Sequence, residues 1–341
     1  MRIGIVNDLA LAREVLRRIV AAMPGYTVAW AAEDGADAAR KAAADRPDAI
    51  LMDLVMPRVN GVEATRQIMQ QAPCPILIVT NSVAANFPLV FQALGAGAVD
   101  AVDTPTVGPS GTIANQEKLV ARLLKLECAL NEMSGSSLIM VPLASGVPGD
   151  LPPLVLLGAS TGGPQALVAV VSTLPADFPA AVLISLHIGA DFALGVVQQL
   201  ALSCALPVRA VNDGDHPTAG TVHVAVTDDH MELAADRCLR YTAKPRNSPF
   251  RPSVDVLFSS AAGHSPSLGV AALLTGMGND GAAGLLRLRA AGWHTIAQDE
   301  ATSVVYGMPR AAVENRAAVE VLPLPHIGAS IVTKILSNRR R

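Results

Sequence analysis

The chain has 341 residues, with 26 basic against 29 acidic side chains and only 3% aromatics. That is long enough for two domains with full cores, and the near-balanced charge with so few aromatics excludes a basic nucleic-acid binder and a stacking platform for bases. The four cysteines, Cys74, Cys128, Cys204 and Cys238, are far apart and form no metal-type pair, which suits a reduced, cytoplasmic compartment.

No signal peptide is expected, because Met1–Asn7 reads directly as a strand. Arg2–Val6 is apolar and stops at Asn7-Asp8. Leu11, Val15, Leu16 and Ile19 then share one face of a helix. A strand near Thr27–Ala31 and a helix carrying Ala36, Ala39, Ala42 and Ala43 follow. Asp48–Met52 is a strand ending at Asp53, and Pro57 with the Asn60-Gly61 turn precedes a helix over Val62–Met69. Pro75–Val79 is a strand ending at Thr80. A helix near Leu89–Leu94 leads to a strand at Ala98–Val102, and helical pattern returns from Gln116 to Leu130.

Strands alternating with helices predict a parallel α/β sheet, whose ligands sit at the carboxyl ends of the strands. Asn7, Asp8, Asp53 and Thr80 all fall there. Carboxylates gathered at such an edge suit Mg²⁺, which takes oxygen ligands and bridges to phosphoryl groups. Acids at strand ends also cap helices or face solvent, so the ordered set carries this reading and no single residue does.

Met133–Pro153 is rich in Ser, Gly and Pro, the composition of a linker. The expected division is a first domain over 1–122, a linker over 123–152 and a second domain over 153–341. Leu151–Ala190 carries only Asp177 as a fixed charge, but Pro152-Pro153, Gly162-Gly163-Pro164, Pro175 and Pro179 interrupt it. A membrane helix needs about 20 continuous apolar residues, so two buried strands with a helix between them are expected, and no membrane insertion.

The second half opens on Gly158-Ala159-Ser160-Thr161-Gly162-Gly163-Pro164, between the apolar run Leu154–Leu157 and the helical run Ala166–Leu174. Gly-x-Ser-x-Gly between strand and helix is a nucleophile-elbow pattern that exposes the serine beside a helix N-terminus, where an oxyanion can sit. The motif alone also fits any glycine-rich βα turn. A P-loop is excluded by the missing Lys-Ser/Thr ending. Ala181–Leu186 is a strand ending at His187, Asp191–Leu202 a helix and Val208–Val211 a strand. Thr221–Val226 and Cys238–Ala243 suggest a β-rich insertion, and Ser253–Ala262 a helix. Leu268–Leu274 is a strand running into Thr275-Gly276-Met277-Gly278-Asn279-Asp280-Gly281. A helix over Ala282–Ala290, a strand at His294–Ala297 and a closing helix at Ile327–Leu336 complete the chain.

Ser160, His187 and Asp280 thus end three predicted strands. A serine needs a base to take its proton, histidine does this near neutral pH, and a carboxylate fixes the imidazole. His216, His223, His230, His264, His294 and His326 compete with His187. Asp213, Asp215, Asp228, Asp229 and Asp299 compete with Asp280, which could equally be a helix cap. Backbone N–H groups of Thr161 and Met277 could form the oxyanion hole. The order Ser…His…Asp differs from the α/β-hydrolase order.

Asp48–Pro57 followed by Asn60-Gly61 resembles the phosphoacceptor segment of two-component receiver domains. The resemblance implies a flavodoxin-like domain with a five-stranded parallel sheet. In it Asp53 takes the phosphoryl group, Asp8, Asp53 and the Val55 carbonyl hold Mg²⁺, and Thr80 is the switch hydroxyl. Two positions depart from the receiver pattern. The usual acidic pair is Asn7-Asp8 here, and the usual Lys-Pro is Thr104-Pro105, which removes a cation beside the acyl phosphate.

Gly158–Pro164, Thr275–Gly281, Ile296–Thr302 and Tyr306–Pro309 resemble the catalytic domain of the CheB methylesterases, and a receiver ahead of it is their architecture. The resemblance implies a doubly wound α/β domain with Ser160 as nucleophile, His187 as base and acid, and Asp280 as orienting carboxylate. It implies no catalytic cofactor, with Mg²⁺ needed only for the receiver. The implied reaction is hydrolysis of glutamate methyl esters, and deamidation of certain glutamines, on the cytoplasmic domain of methyl-accepting receptors. The receiver would be phosphorylated by a CheA-type histidine kinase and would cover the active site until then. Arg2–Asp8, Asp53–Pro57 and Val102–Pro105 further resemble the Wsp-type branch. The alternatives are a signalling scaffold that docks receptor or kinase without switching, and a small-molecule esterase.

Overall fold

The computed structural model describes residues 1–107, 112–132, 151–246, 248, 250–265 and 268–338. The chain divides into two compact units, Met1–Leu130 and Asn131–Arg341.

The first unit alternates strands and helices as its hydrophobic pattern predicts. Its elements are β1 (Arg2–Val6), α1 (Ala10–Ala22), β2 (Thr27–Ala32), α2 (Gly35–Ala44), β3 (Ala49–Met52), α3 (Gly61–Gln71), β4 (Ile76–Thr80), α4 (Phe87–Ala96), β5 (Asp100–Asp103), the short β6 (Thr106–Val107) and β7 (Ile113–Ala114), and α5 (Gln116–Glu132). The sheet is parallel with order β2-β1-β3-β4-β5. Every side chain of β3 and β4 is buried, as a two-sided sheet requires. Side-chain caps start two of the helices. Asp34 accepts from Asp37 N at α2, and Asn60 from Glu63 N at α3.

The core beneath α1 and α5 holds Ile3, Ile5, Leu16, Leu51, Leu77, Leu119, Leu123 and Leu126. Leu123 and Leu126 lie beyond the expected boundary at 122. α5 runs on through that point because its apolar face is still needed by the core, so the first unit is longer than expected. Of the expected linker, residues 133–150 lie outside the described residues.

The second unit contains β8 (Leu154–Ala159), α6 (Gly163–Val171), β9 (Ala181–Leu186), α7 (Ala190–Ser203), β10 (Val208–Ala210), β11 (Val222–Val224), β12 (His230–Leu233), β13 (Leu239–Thr242), α8 (Val254–His264), β14 (Val270–Leu273), α9 (Ala282–Ala290), β15 (His294–Gln298), α10 (Met308–Glu314), β16 (Glu320–Leu322) and α11 (Leu324–Asn338). Seven parallel strands run β10-β11-β9-β8-β14-β15-β16. The expected β-rich insertion divides. Val222–Val224 joins the main sheet beside β9, while β12 and β13 form a separate antiparallel hairpin. Among the described residues no helix is long and apolar enough to cross a membrane.

Candidate active site

β8 lies between β9 and β14, so the strand that ends at Ser160 is flanked by those leading to His187 and Asp280. Ala159 pairs with Leu186, which makes Ser160 and His187 the next residues along neighbouring strands roughly 5 Å apart. The ladder continues past the strand ends. His187 N donates to Ala159 O at 3.1 Å and Ser160 N to Thr275 O at 3.0 Å.

The elbow needs two of its neighbouring glycines for geometric reasons. Gly162 caps α6 with φ of 77°, a conformation that side chains disfavour. Gly276 backs directly on Ser160. A Cβ there would stand 2.7 Å from Ser160 Cβ and would collide with Met308 Sδ.

The structure brings His187 and Asp280 together. His187 Nε2 is 2.7 Å from Asp280 Oδ2, and both side chains are more than nine-tenths buried. Asp280 also accepts from Ser253 Oγ at 2.7 Å, Val254 N at 2.6 Å and Asp255 N at 3.2 Å. It therefore caps the N-terminus of α8, where the helix dipole favours a negative charge. Burial alone would raise the Asp280 carboxyl, but His187, Ser253 and Val254 outweigh it and hold the carboxyl below its usual range. An ionised carboxylate only accepts, so Nε2 carries the proton and Nδ1 is the basic nitrogen. His187 Nδ1 is buried without a hydrogen-bond partner among the described residues. Ser160 Oγ makes no hydrogen bond among them either, and catalytic pairs often close only around substrate.

Asp255 mirrors Asp280. It lies in the first turn of α8 and accepts from Gly284 N of α9 at 2.6 Å. Burial, and then the Asp280 charge, push its carboxyl up to about 7. The two acids thus cap each other's helices.

The loops holding Thr161 and Met277 are tied together. Thr275 Oγ1 donates to Thr161 O at 2.9 Å and accepts from Val305 N at 3.0 Å. Thr275 N donates to Gln298 Oε1, whose amide in turn donates to Thr302 O. Met308 N donates to Gly276 O at 2.9 Å. Residues of the Ile296–Thr302 and Tyr306–Pro309 motifs are therefore braces behind the elbow. The N–H groups of Thr161 and Met277 make no hydrogen bond among the described residues.

The competing histidines are used elsewhere. His223 is buried in β11 and accepts from Thr218 N. His230 accepts from Ser253 N at Nδ1 and faces Pro245 O with Nε2, and burial lowers its pKa. His264 meets Leu233 O. Ser253 and Asp255 were not predicted as site residues, and His230 only as an alternative base. Ser253 is readable as a helix cap, but its partner acid 27 positions away is not.

In the first unit, Asp53 follows β3 and is 9% exposed, with Asn7 and Asp8 after β1 and Thr80 ending β4. Asn7 Nδ2 donates to Asp53 Oδ2 at 2.9 Å and Leu54 N to Oδ1 at 2.7 Å. Burial raises Asp53 to about 6, the Leu54 and Val55 N–H groups pull it down, and Asp8 adds a smaller upward push. Thr80 Oγ1 accepts from Asn86 Nδ2 at 3.1 Å, and Thr104 N donates to Thr80 O. Asp8, Asp53 and a carbonyl are hard oxygen donors of the kind Mg²⁺ takes, and a cation would return the buried Asp53 to its charged form. Among the described residues no group of three or more His, Cys, Asp or Glu is placed to hold a metal.

Residues 155–331 match the family described as CheB methylesterase, and residues 3–107 match the response regulator receiver domain. A relative from Burkholderia thailandensis, named protein-glutamate methylesterase/protein-glutamine glutaminase 4, is 48% identical over 344 residues, covering 100% of this chain and 99% of its own. One from Burkholderia pseudomallei with the same type of name is also 48% identical over the same shares. The crystal structure of the Thermotoga maritima CheB methylesterase catalytic domain superposes with a TM-score of 0.50 and 33% identity, covering 56% of this chain and 100% of that one.

Proposed function

The chain belongs to the CheB methylesterase family, with a receiver domain ahead of the catalytic one, and from that premise we propose a protein-glutamate methylesterase that also deamidates glutamine. Its substrate is the cytoplasmic domain of a methyl-accepting receptor. The observation that carries this reading is the buried His187–Asp280 pair, placed beside Ser160 with Nδ1 left as a base.

In this reading Ser160 Oγ attacks the ester carbonyl as His187 Nδ1 takes its proton. The Thr161 and Met277 N–H groups, which make no hydrogen bond among the described residues, receive the oxyanion. The intermediate collapses, the C–O bond to methoxide breaks, and His187 returns its proton so that methanol leaves. Water, deprotonated by the same Nδ1, then hydrolyses the acyl-enzyme to glutamate. With a glutamine substrate the leaving group is ammonia.

The receiver regulates this step in the proposal. A CheA-type histidine kinase phosphorylates Asp53 and Thr80 senses the phosphoryl group; Asp8, Asp53 and the Val55 carbonyl would hold Mg²⁺, which would supply charge neutralisation there. The Wsp-type assignment rests on the segments around Asp8, Asp53 and Thr104. Nothing in the family match favours the scaffold alternative.

The test is methanol release from membranes bearing a methylated receptor. Wild-type protein should release methanol and Ser160→Ala should not. Release that survives the substitution would overturn the serine mechanism.

A further inference from the structure

Phe250 is one of only six phenylalanines in the chain and belongs to a Pro-rich loop between β13 and α8. Its ring stacks on the His187 imidazole, with centroids 4.7 Å apart and planes 14° from parallel. The ring also reaches the loop that carries Met277. A Cβ added to Gly278 would stand 3.0 Å from Phe250 Cζ, and Gly278 itself holds φ at 86°. One ring therefore touches both the imidazole and the backbone next to the candidate oxyanion hole.

The Asp280 hydrogen bond fixes one atom of His187, Nε2, and leaves the ring free to tilt about that anchor. A flat neighbour removes that freedom and so fixes where Nδ1 points. The same face matters electrically. When Nδ1 takes the serine proton the imidazole becomes a cation, and a cation within about 6 Å of an aromatic centroid is attracted by the ring's negative face. That attraction is absent while the imidazole is neutral, so it favours the charged transition state over the resting one.

We propose that Phe250 is a positioning residue for the hydrolysis, acting through His187. The proposal deepens the methylesterase reading and rests on it. The experiment uses full-length protein and two readouts: kcat and KM for methanol release from methylated receptor membranes, and the rate at which a fluorophosphonate probe labels Ser160, which needs the base but no receptor.

Phe250→Leu should lower both kcat and the labelling rate about 10- to 100-fold, the scale of a misplaced catalytic group, with KM within about twofold of wild type. Phe250→Tyr, which keeps the flat ring, should restore both. Phe250→Met, flexible enough to refill the space, carries the comparison if Phe250→Leu does not fold. Non-planar variants that label at the wild-type rate, or a tyrosine variant no faster than the leucine one, would overturn the proposal. Wild-type protein that labels at Ser160 but releases no methanol would sink the substrate reading alone. Protein that does neither would remove the catalytic reading and this proposal with it.

Discussion

The imidazole of His187 meets its carboxylate through Nε2, which leaves Nδ1 without a hydrogen-bond partner among the described residues. That choice follows from where β9 ends and α8 begins, so it is invisible in the residue types alone. Asp53 shows the same limit. Its position after β3 is legible from the apolar run before it, but its raised carboxyl depends on burial that only the folded chain supplies. The sign of the effect gives a test. A carboxyl near 6 in the folded chain and near 4 in the unfolded one stabilises fully only below about pH 4, and that contribution is lost as pH rises through about 6. The penalty above pH 6 is about 3 kcal/mol at most. Asp53→Asn should therefore raise the Tm of the receiver transition at pH 7.5 without Mg²⁺, and raise it only about half as much at pH 5, midway between the two values. Thermal melts at the two pH values check this, and an equal effect at both would refute it. Added Mg²⁺ should shrink the difference, because a bound cation favours the charged carboxylate.

At the level of elements, the strand–helix alternation was readable because the two main sheets are parallel and their central strands are continuous apolar runs. The misreading at Val222–Val224 has a physical cause. Its residues Thr221 to Val224 are all buried, His223 included, but a histidine between valines imitates the alternation of a half-exposed strand. β16 escaped notice because at the sheet edge its Glu320 and Leu322 are only partly buried and its Val321 is exposed. The reciprocal caps of α8 and α9 were out of reach for a different reason, since Asp255 and Asp280 meet only once β14 has been laid down. Gly276 shows how closely the elements are fitted around the site. Gly276→Ala would push a methyl group into Ser160 and Met308. Overpacking of this kind costs about 1–3 kcal/mol. The expected result is a lower Tm together with a fall in kcat of about tenfold or more, read by calorimetry and methanol release on the same sample.

On the scale of the molecule, each unit has a core of its own, and α5 packs into that of the first through Leu119, Leu123 and Leu126. A receiver unit with a buried acid at its strand edge predicts that acetyl phosphate with Mg²⁺ raises methanol release by wild-type protein. Asp53→Asn should abolish that increase and leave basal release in place. A rise that persists in the variant would place control elsewhere. The bracing of the elbow by the last third of the second unit has a genetic consequence. A chain that stops after α9 still encodes Ser160, His187 and Asp280. It lacks Gln298, Val305 and Met308, the groups that hold Thr275 and Gly276 in place. Premature stop codons there should behave as full loss-of-function alleles even though every residue of the proposed chemistry lies upstream of them.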